Sequence, residues 1–312
     1  MRDFSCFGDG AVTLGAGSSV GGGAGGGGGA GAALDRSLQA ATASVYRVAL
    51  SSGKELRIRV TWTRAAGAAA AAGATGLAVA VDDGSRAIPV PPSSAHLQLQ
   101  KKRGTRSFVT DAGTAVSIYW DTAEAKYGGG GGPEPSRDYY LAVVADGELA
   151  LLLGSGGEGA RELGRRFPPA PRRALLSRRE QAAQAQLVHT TRCRFRDGGA
   201  EHEVTVSCRR GNDGEVAVAV DGKKVVEARR VKWNFRGNRT AVLGDGAVVE
   251  VMWDVHDWWF AGAGGGGGGG GAQFMVKARG ASDGGRVWMD EEMASKGQPP
   301  AGFFLHLQCY RR

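Results

Sequence analysis

The amino-acid sequence predicts a mainly β protein, made of two tandem, duplicated antiparallel β-sandwich or barrel units joined by a short, partly helical connector. Three observations lead to this fold class. Short runs of alternating apolar and polar residues recur along the chain, and Gly/Asp turns separate them. The runs do not alternate with helical patterns as they would around a parallel sheet. Finally, a sequence motif that begins at Arg103 is repeated from Arg236.

The repeated stretch predicts a strand, a tight turn and a second strand that ends on Trp-Asp. Its shared residues lie 133 positions apart, with Arg103, Gly104, Arg106, Gly113, Trp120 and Asp121 returning as Arg236, Gly237, Arg239, Gly246, Trp253 and Asp254. We interpret each Trp as filling a sandwich core and each Asp as capping the next turn. A paired ligand cleft is the alternative, but repetition in both copies favours the structural role.

The first half of the chain predicts one short helix and then strands. Leu34–Ser44 is predicted to be helical and Val45–Leu50 extended. Glu55–Arg64 alternates well, since Leu56, Ile58, Val60 and Trp62 share one face. The further predicted strands are Leu77–Val81, His96–Gln100, Thr105–Thr110, Thr114–Trp120, Tyr139–Ala145 and Glu148–Leu153.

The connector predicts helices, and the second half returns to strands. Glu158–Arg166 is predicted to be helical up to the Pro-Pro-Ala-Pro run at 168–171, and Leu175–Leu187 is predicted to be a second short helix. The later predicted strands are Thr190–Phe195, Glu203–Arg209, Glu215–Val220, Lys223–Phe235, Arg239–Leu243, Ala247–Trp253, Gln273–Arg279 and Gly302–Tyr310.

Composition divides the chain into four regions. They are a disordered head with a Gly/Ala tract (1–33), a first β repeat (34–154), a basic Pro-containing connector (155–187) and a second β repeat (188–312). Many of the 53 glycines form tracts, of which 128–132 and 264–271 interrupt the repeats. Because glycine tracts bury no side chain and lose much entropy on ordering, we interpret them as flexible insertions.

The charge is concentrated in the middle of the chain. The net charge is +8; residues 155–180 carry seven Arg against three acids, and residues 191–240 carry twelve Lys or Arg against seven acids. A basic middle favours an anionic partner. The four cysteines and the absence of a secretory signal predict a reducing compartment, cytoplasm or nucleus, with a plastid as the alternative. No apolar run is long enough to predict a transmembrane segment.

A basic and aromatic set in the second repeat is the candidate binding surface. Its members are Lys232, Trp233, Arg236, Arg239, His256, Asp257, Trp258 and Trp259. Cations interleaved with aromatic residues are typical of surfaces that hold nucleic acid or anionic lipid, while a solvated strand face is the plainer interpretation. Catalytic residues, metal ligands and cofactors are not predicted.

A calcium-dependent membrane module is an alternative that depends on geometry. Aspartates stand at several predicted turns, although turns favour aspartate in any case. The alternative requires their loops to converge at one end of a sandwich. The residues in question are Asp82, Asp83, Asp111, Asp121, Asp221, Asp245 and Asp254.

Several long motifs resemble a plant-specific family catalogued as domain of unknown function 868. They include the head MRDFSCFGDG, the run GGPEPSRDYYLAVVADGELALLLG, the run VDGKKVVEARRVKWNFRGN and the run VEVMWDVHDWWF. The resemblance covers nearly the whole chain apart from the Gly and Ala tracts. The resemblance implies a plant protein of an intracellular compartment. It does not imply any biochemical activity.

Three functional hypotheses follow. The first is a non-enzymatic binding or scaffolding module with an unknown protein partner. The alternative is a charge-driven binder of nucleic acid or anionic lipid. A third, an enzyme with a cleft between the two copies, has no residue assigned to it.

Overall fold

A computed structural model describes residues 38–65, 75–84, 96–128, 132–154, 157–184, 186–196, 198–209, 211, 213–260, 271–279 and 302–311. The predicted disordered head (1–33) and most of the two glycine insertions (128–132 and 264–271) lie outside the described residues.

The described chain consists mainly of strands. Those of the first half are β1 (Leu38–Ala49), β2 (Glu55–Ala65), β3 (Thr75–Asp82), β4 (His96–Gln98), β5 (Arg103–Val109), β6 (Ala115–Asp121), β7 (Lys126–Tyr127), β8 (Pro135–Arg137), β9 (Tyr140–Ala145) and β10 (Glu148–Leu153). Helix α1 (Gly157–Arg166) follows. The second half contains β11 (Arg172–Gln184), β12 (Leu187–Cys193), β13 (His202–Arg209), β14 (Glu215–Val220), β15 (Lys223–Arg229), β16 (Arg236–Val242), β17 (Val248–Asp254), α2 (His256–Phe260), β18 (Gly271–Ala278) and β19 (Phe304–Arg311).

One long sheet supports the whole fold. This backing sheet has nine strands in the order β16-β17-β18-β19-β11-β1-β2-β3-β4. A first cover sheet has the order β10-β9-β6-β5, a second has the order β12-β13-β14-β15, and β7 and β8 form a small hairpin. Every pairing between neighbouring strands is antiparallel except that of β11 with β19, which is parallel.

Both cover sheets pack on the same face of the backing sheet. Leu305 and Leu307 of β19 pair with Arg178 and Glu180 of β11. Glu180 also pairs with a residue of β1, and that residue pairs with Trp62 of β2. Because paired residues point to the same face, the cores of the two halves lie on one side. The first sandwich consists of β1–β4 with the first cover sheet, and the second consists of β16–β19 with the second cover sheet.

Each sandwich has its own apolar core. In the first, β2 and β3 contribute Ile58 and Val79, and the cover sheet contributes Ile118 and Leu141. In the second, Val206 and Val218 of the cover sheet meet a set from the backing sheet that includes Val251, Phe274 and Leu307. No sheet closes into a barrel within the described residues, so of the two predicted architectures the chain has the sandwich.

Two predicted helices are wrong. The structure has a strand from Leu38 where Leu34–Ser44 was predicted to be helical, and β11 occupies most of the second predicted helix, Leu175–Leu187. The Ala, Gln, Glu and Arg residues of these segments favour helix by only a fraction of a kcal/mol each. Backbone hydrogen bonds to neighbours on both sides outweigh that preference, since β1 lies between β11 and β2 and β11 lies between β1 and β19.

Helix α1 agrees with the predicted helix Glu158–Arg166 and covers the outer face of the first cover sheet. Leu163 is buried against Val144 and Leu149 there. The short helix α2 was not predicted.

The two halves pair their strands in equivalent registers. Trp120 of β6 faces Gly104 and Leu141, while Trp253 of β17 faces Gly237 and Phe274. That the chain arose by duplication, with the region boundaries given above, stays a prediction.

Candidate functional site

The two Trp-Asp pairs are built alike. The indole Nε1 of Trp120 donates to the carbonyl of Lys101 at 2.7 Å, and that of Trp253 donates to the carbonyl of Asn234 at 3.1 Å. Both tryptophans are buried. Each ring lies over a glycine of the paired strand, Gly104 or Gly237, where a Cβ would approach the ring to 2.7 and 2.3 Å respectively.

The aspartates of the two pairs also make matching contacts. Oδ1 of Asp254 accepts from the backbone N–H of His256 at 2.9 Å, and Oδ2 accepts from Nε of Arg236 at 2.9 Å. Asp121 makes the same two contacts with Ala123 and Arg103, at 3.0 and 2.7 Å. All four residues of the two pairs thus make contacts within the fold, and both carboxylates face an arginine.

A basic groove lies at the open edge of the second sandwich. It runs between β15 and β16, which are the edge strands of their sheets, and has a volume of about 670 Å³. Its lining includes Glu227, Arg229, Arg230, Asn234, Arg239 and Trp253.

Strand register explains why an arginine stands in this groove. Arg239 pairs with Val251, which is buried in the core, so its side chain is on the inward face of an edge strand. The position is nevertheless exposed, and β16 is the last strand of the backing sheet. The guanidinium therefore lies at the mouth of the sandwich, beside the Trp253 ring.

Three cations of this region have no carboxylate partner among the described residues. Arg229 is bound by Glu227 at 2.8 Å and Arg236 by Asp254 at 2.9 Å. By contrast, no ion pair joins a carboxylate to Arg230, Lys232 or Arg239 in the part of the chain that the structure describes. Within the described part of the chain, the groove and the turn beside it thus carry more cations than carboxylates.

The turn after β15 presents Trp233 to solvent. Arg230 has a left-handed φ of 56°, and its carbonyl accepts from the N–H groups of Trp233 and Asn234 at 2.9 and 3.1 Å. The Asn234 side chain donates to the carbonyl of Arg229 at 2.7 Å. Val231 is fully buried beneath the turn, while the Trp233 side chain is 84% exposed.

Helix α2 packs beside this turn and contains the remaining candidate residues, which differ in burial. Trp258 is buried in the core, and Trp259 lies half-buried over Gly214, where a Cβ would be 2.3 Å from the indole. His256 contacts Asp257 at 2.9 Å and lies between the rings of Phe235 and Phe260.

Five of the eight proposed surface residues therefore lie around the turn or the groove: Lys232, Trp233, Arg236, Arg239 and His256. Trp258 belongs to the core. The surface predicted from the sequence does not include Glu227 and Asn234, which line the groove. The Asn234 side chain reaches the carbonyl of Arg229 because the turn is left-handed at Arg230. The sequence has no glycine at that position to predict such a turn.

A buried ionic network joins the two sandwiches away from the groove. Arg178 on β11 binds Glu134, beside the first sandwich, at 2.7 Å, and also binds Glu180. Glu180 in turn accepts from Thr191 and contacts His189 at 2.7 Å, both on β12. Burial alone would raise the pKa of Glu180, but Arg178 and the hydrogen bonds from β12 lower it to about 2.

A second polar cluster ties turns together at the far end of the second sandwich. His202 Nδ1 lies 2.7 Å from Asp221, and Nε2 lies 3.3 Å from Asp245, which also binds Arg196. Burial opposes protonation of His202, but the two carboxylates outweigh it and raise its pKa.

These contacts bear on the calcium alternative. Asp221 and Asp245 do converge, yet Asp221 contacts His202 and Asp245 binds Arg196, and Asp254 stands at the opposite end of β17. Among the described residues, no group of three or more His, Cys, Asp or Glu could hold a metal ion. None of the described helices has the length and apolar character needed to cross a membrane.

Fold and surface together define a class: a mainly β protein of two sandwiches on a shared sheet, with a basic groove at one open edge. The chain belongs to a family of plant proteins of unknown function, DUF868, whose model matches residues 37–311. The resemblance seen in the sequence motifs is thereby confirmed. No curated protein and no solved structure matches the chain.

Proposed function

We propose that the protein is a non-enzymatic binding module that holds an anionic partner in the basic groove of the second sandwich. One observation carries the proposal: Arg230 and Arg239 line the groove and Lys232 lies in the adjoining turn, and none of the three has a carboxylate partner among the described residues. Unpaired cations that converge on a groove attract anions, because focused positive potential raises the local anion concentration.

The lining of the groove supports binding rather than chemistry. Glu227 is its carboxylate, and Arg229 at 2.8 Å and Lys224 at 3.7 Å hold it as an ion pair. The pKa of Glu227 is lowered, chiefly by the hydrogen bond from Arg229. A general base needs a pKa nearer to the operating pH, so Glu227 is poorly suited to accept protons from a substrate.

The test compares two triple variants of equal charge. Arg230→Gln, Lys232→Gln and Arg239→Gln remove the unpaired cations at the groove, while Lys102→Gln, Arg106→Gln and Arg137→Gln remove three exposed cations of the first half. The readout is the affinity for a labelled polyanion such as heparin over a series of salt concentrations. The groove variant should weaken binding strongly and reduce the salt slope by about 2 to 3 units.

Equal weakening by both variants would show that net charge acts without a site. Failure of the wild-type protein to bind any polyanion would also overturn the proposal.

A further inference from the structure

We infer that the anionic partner is a single-stranded nucleic acid, with a base stacked on Trp233 and adjacent phosphates held by Arg230 and Arg239. This inference rests on the proposed function and adds to it the chemical class of the ligand. The basic groove supplies the charge, and an aromatic face beside it supplies the second element of recognition.

Trp233 is the most exposed tryptophan among the described residues. Trp62, Trp120, Trp253 and Trp258 are all less than 10% exposed, whereas Trp233 is 84% exposed. An indole is a large apolar surface, and leaving it in water forgoes the stabilisation that burial would bring. Aromatic rings exposed beside cations are a common element of surfaces that bind nucleic acid, so Trp233 is in a suitable position to contact a ligand with a flat apolar face.

The turn holds Trp233 in a defined place. Three hydrogen bonds within residues 229–234 close it, and the N–H of Val231 donates to the carbonyl of Asp213 at 2.7 Å to anchor it to the preceding loop. Because the backbone of the turn is anchored, it loses little conformational entropy when a ligand binds to Trp233. Such preorganisation favours binding.

Further aromatic rings extend the surface along α2. The Phe235 ring is 5.2 Å from the His256 ring and 5.7 Å from the Phe260 ring, and Phe260 is 46% exposed. The Arg236 guanidinium lies 5.5 Å from the Phe235 ring centroid. Aromatic faces interleaved with arginines are the combination by which proteins bind single strands, since every base offers a π face and every linkage a charge.

The shape of the surface favours a chain over a bilayer. Arg239 lines an open groove, which a flexible phosphodiester chain can follow, while a flat membrane surface would meet the exposed Trp233 side chain first. In a duplex, stacking between adjacent base pairs covers the flat faces of the bases, so a duplex offers Trp233 no internal face. An acidic peptide provides charge without a regular series of π faces.

The test measures binding of a labelled oligonucleotide of about 12 bases, oligo-U or oligo-dT, by fluorescence anisotropy across salt concentrations. Trp233→Ala should weaken binding about 5- to 140-fold and leave the salt slope unchanged, because stacking displaces no counterions. Trp233→Phe should keep most of the affinity. Arg239→Gln should lower the salt slope by about 0.7, the value for one phosphate contact on a single strand.

The matched control is Arg106→Gln, at the equivalent position of the first sandwich, which should leave affinity and slope as in the wild type. Because Trp233 is exposed, the thermal unfolding of Trp233→Ala should match that of the wild type, which separates a lost contact from a lost fold.

The outcomes separate the inference from the proposed function. If Arg239→Gln weakens binding of the oligonucleotide and Trp233→Ala does not, the inference is wrong and anion binding stands. If Trp233→Ala abolishes binding to phosphatidylserine-containing vesicles while oligonucleotide affinity is unchanged, the Trp233 surface contacts membranes instead and the inference is again wrong. If neither substitution changes the binding of any anion, both proposals fall.

Discussion

At the scale of single residues, Gly237 shows how closely the second sandwich is packed. Its backbone passes beneath the Trp253 indole, and a Cβ built on it would be 2.3 Å from Cζ2 of that ring. The ring cannot move away freely, because its Nε1 is bound to the carbonyl of Asn234. Only a residue without a side chain fits beneath the indole.

Gly237→Ala should therefore destabilise the protein by about 1 to 3 kcal/mol, the usual cost of overpacking. Gly104→Ala should do the same beneath Trp120. The control is Gly244→Ala, since a Cβ there meets no atom within 4 Å, and it should change the free energy of unfolding by less than about 0.5 kcal/mol. Denaturant unfolding measures all three, and equal stability of Gly237→Ala and wild type would contradict the close packing.

His202 makes stability depend on pH in a defined direction. Because Asp221 and Asp245 raise its pKa above the ordinary value of 6.5, its charged contacts contribute fully below pH 6.5. That contribution is lost as pH rises through the raised pKa. The pKa values of the two aspartates are lowered from 3.8, so their part is lost only in acid.

The free-energy difference between wild type and His202→Gln should thus be larger at pH 5.5 than at pH 8.5. Urea unfolding of both proteins at the two pH values measures it. A difference that grows with pH would show that His202 is neutral in the native state.

At the scale of elements, β11 decides how the halves are joined. It carries Arg178 and Glu180 into the space between the two cover sheets, where both side chains are largely buried. Buried charges of this kind are tolerated only when paired, since an unpaired charge out of water is costly. Removing one partner therefore leaves the other charge buried without its counter-charge.

Glu180→Ala should destabilise the protein by about 3 to 5 kcal/mol, because it leaves Arg178 with less compensation. Glu162→Ala is the matched control: its partner Arg165 is 3.9 Å away, and both side chains are more than 60% exposed. Exposed pairs contribute little, so this change should cost less than about 1 kcal/mol. Comparable losses in the two variants would argue against a structural role for the network.

At the scale of the whole molecule, the backing sheet makes the two sandwiches one hydrogen-bonded unit. β11 has β1 of the first half on one side and β19 of the second on the other. Its amides should exchange with solvent as slowly as those of β1 and β19, because opening them requires breaking the centre of a nine-stranded sheet. Hydrogen-exchange mass spectrometry of peptides covering 172–184 measures this protection.

Rapid exchange of β11, at the rate of the exposed turn at residues 221–222, would show instead that the halves are separate units joined by a connector. In Glu180→Ala, protection should fall in both sandwiches together, since the network contacts elements of each.

Much of this fold could be predicted from local pattern. Strands such as Glu148–Leu153 and Glu215–Val220 have the predicted bounds, because alternation and Asp-Gly turns are encoded within a few residues. The candidate binding surface stays a prediction, and only some of its residues lie at the groove or the turn. Lys232, Trp233 and Arg239 are recognisable by charge and aromatic character, whereas the burial of Trp258 depends on strands distant in sequence.

The amino-acid sequence alone determined that this is an all-β chain with turns at defined places, and it carries the motifs of its family. The tertiary structure alone decided that the helix-forming segment around Glu180 is a strand, because pairing with two distant strands outweighs weak local propensity. It also decided that Arg230 and Arg239 line one groove, since that convergence depends on β15 and β16, the edge strands of two different sheets, lying side by side.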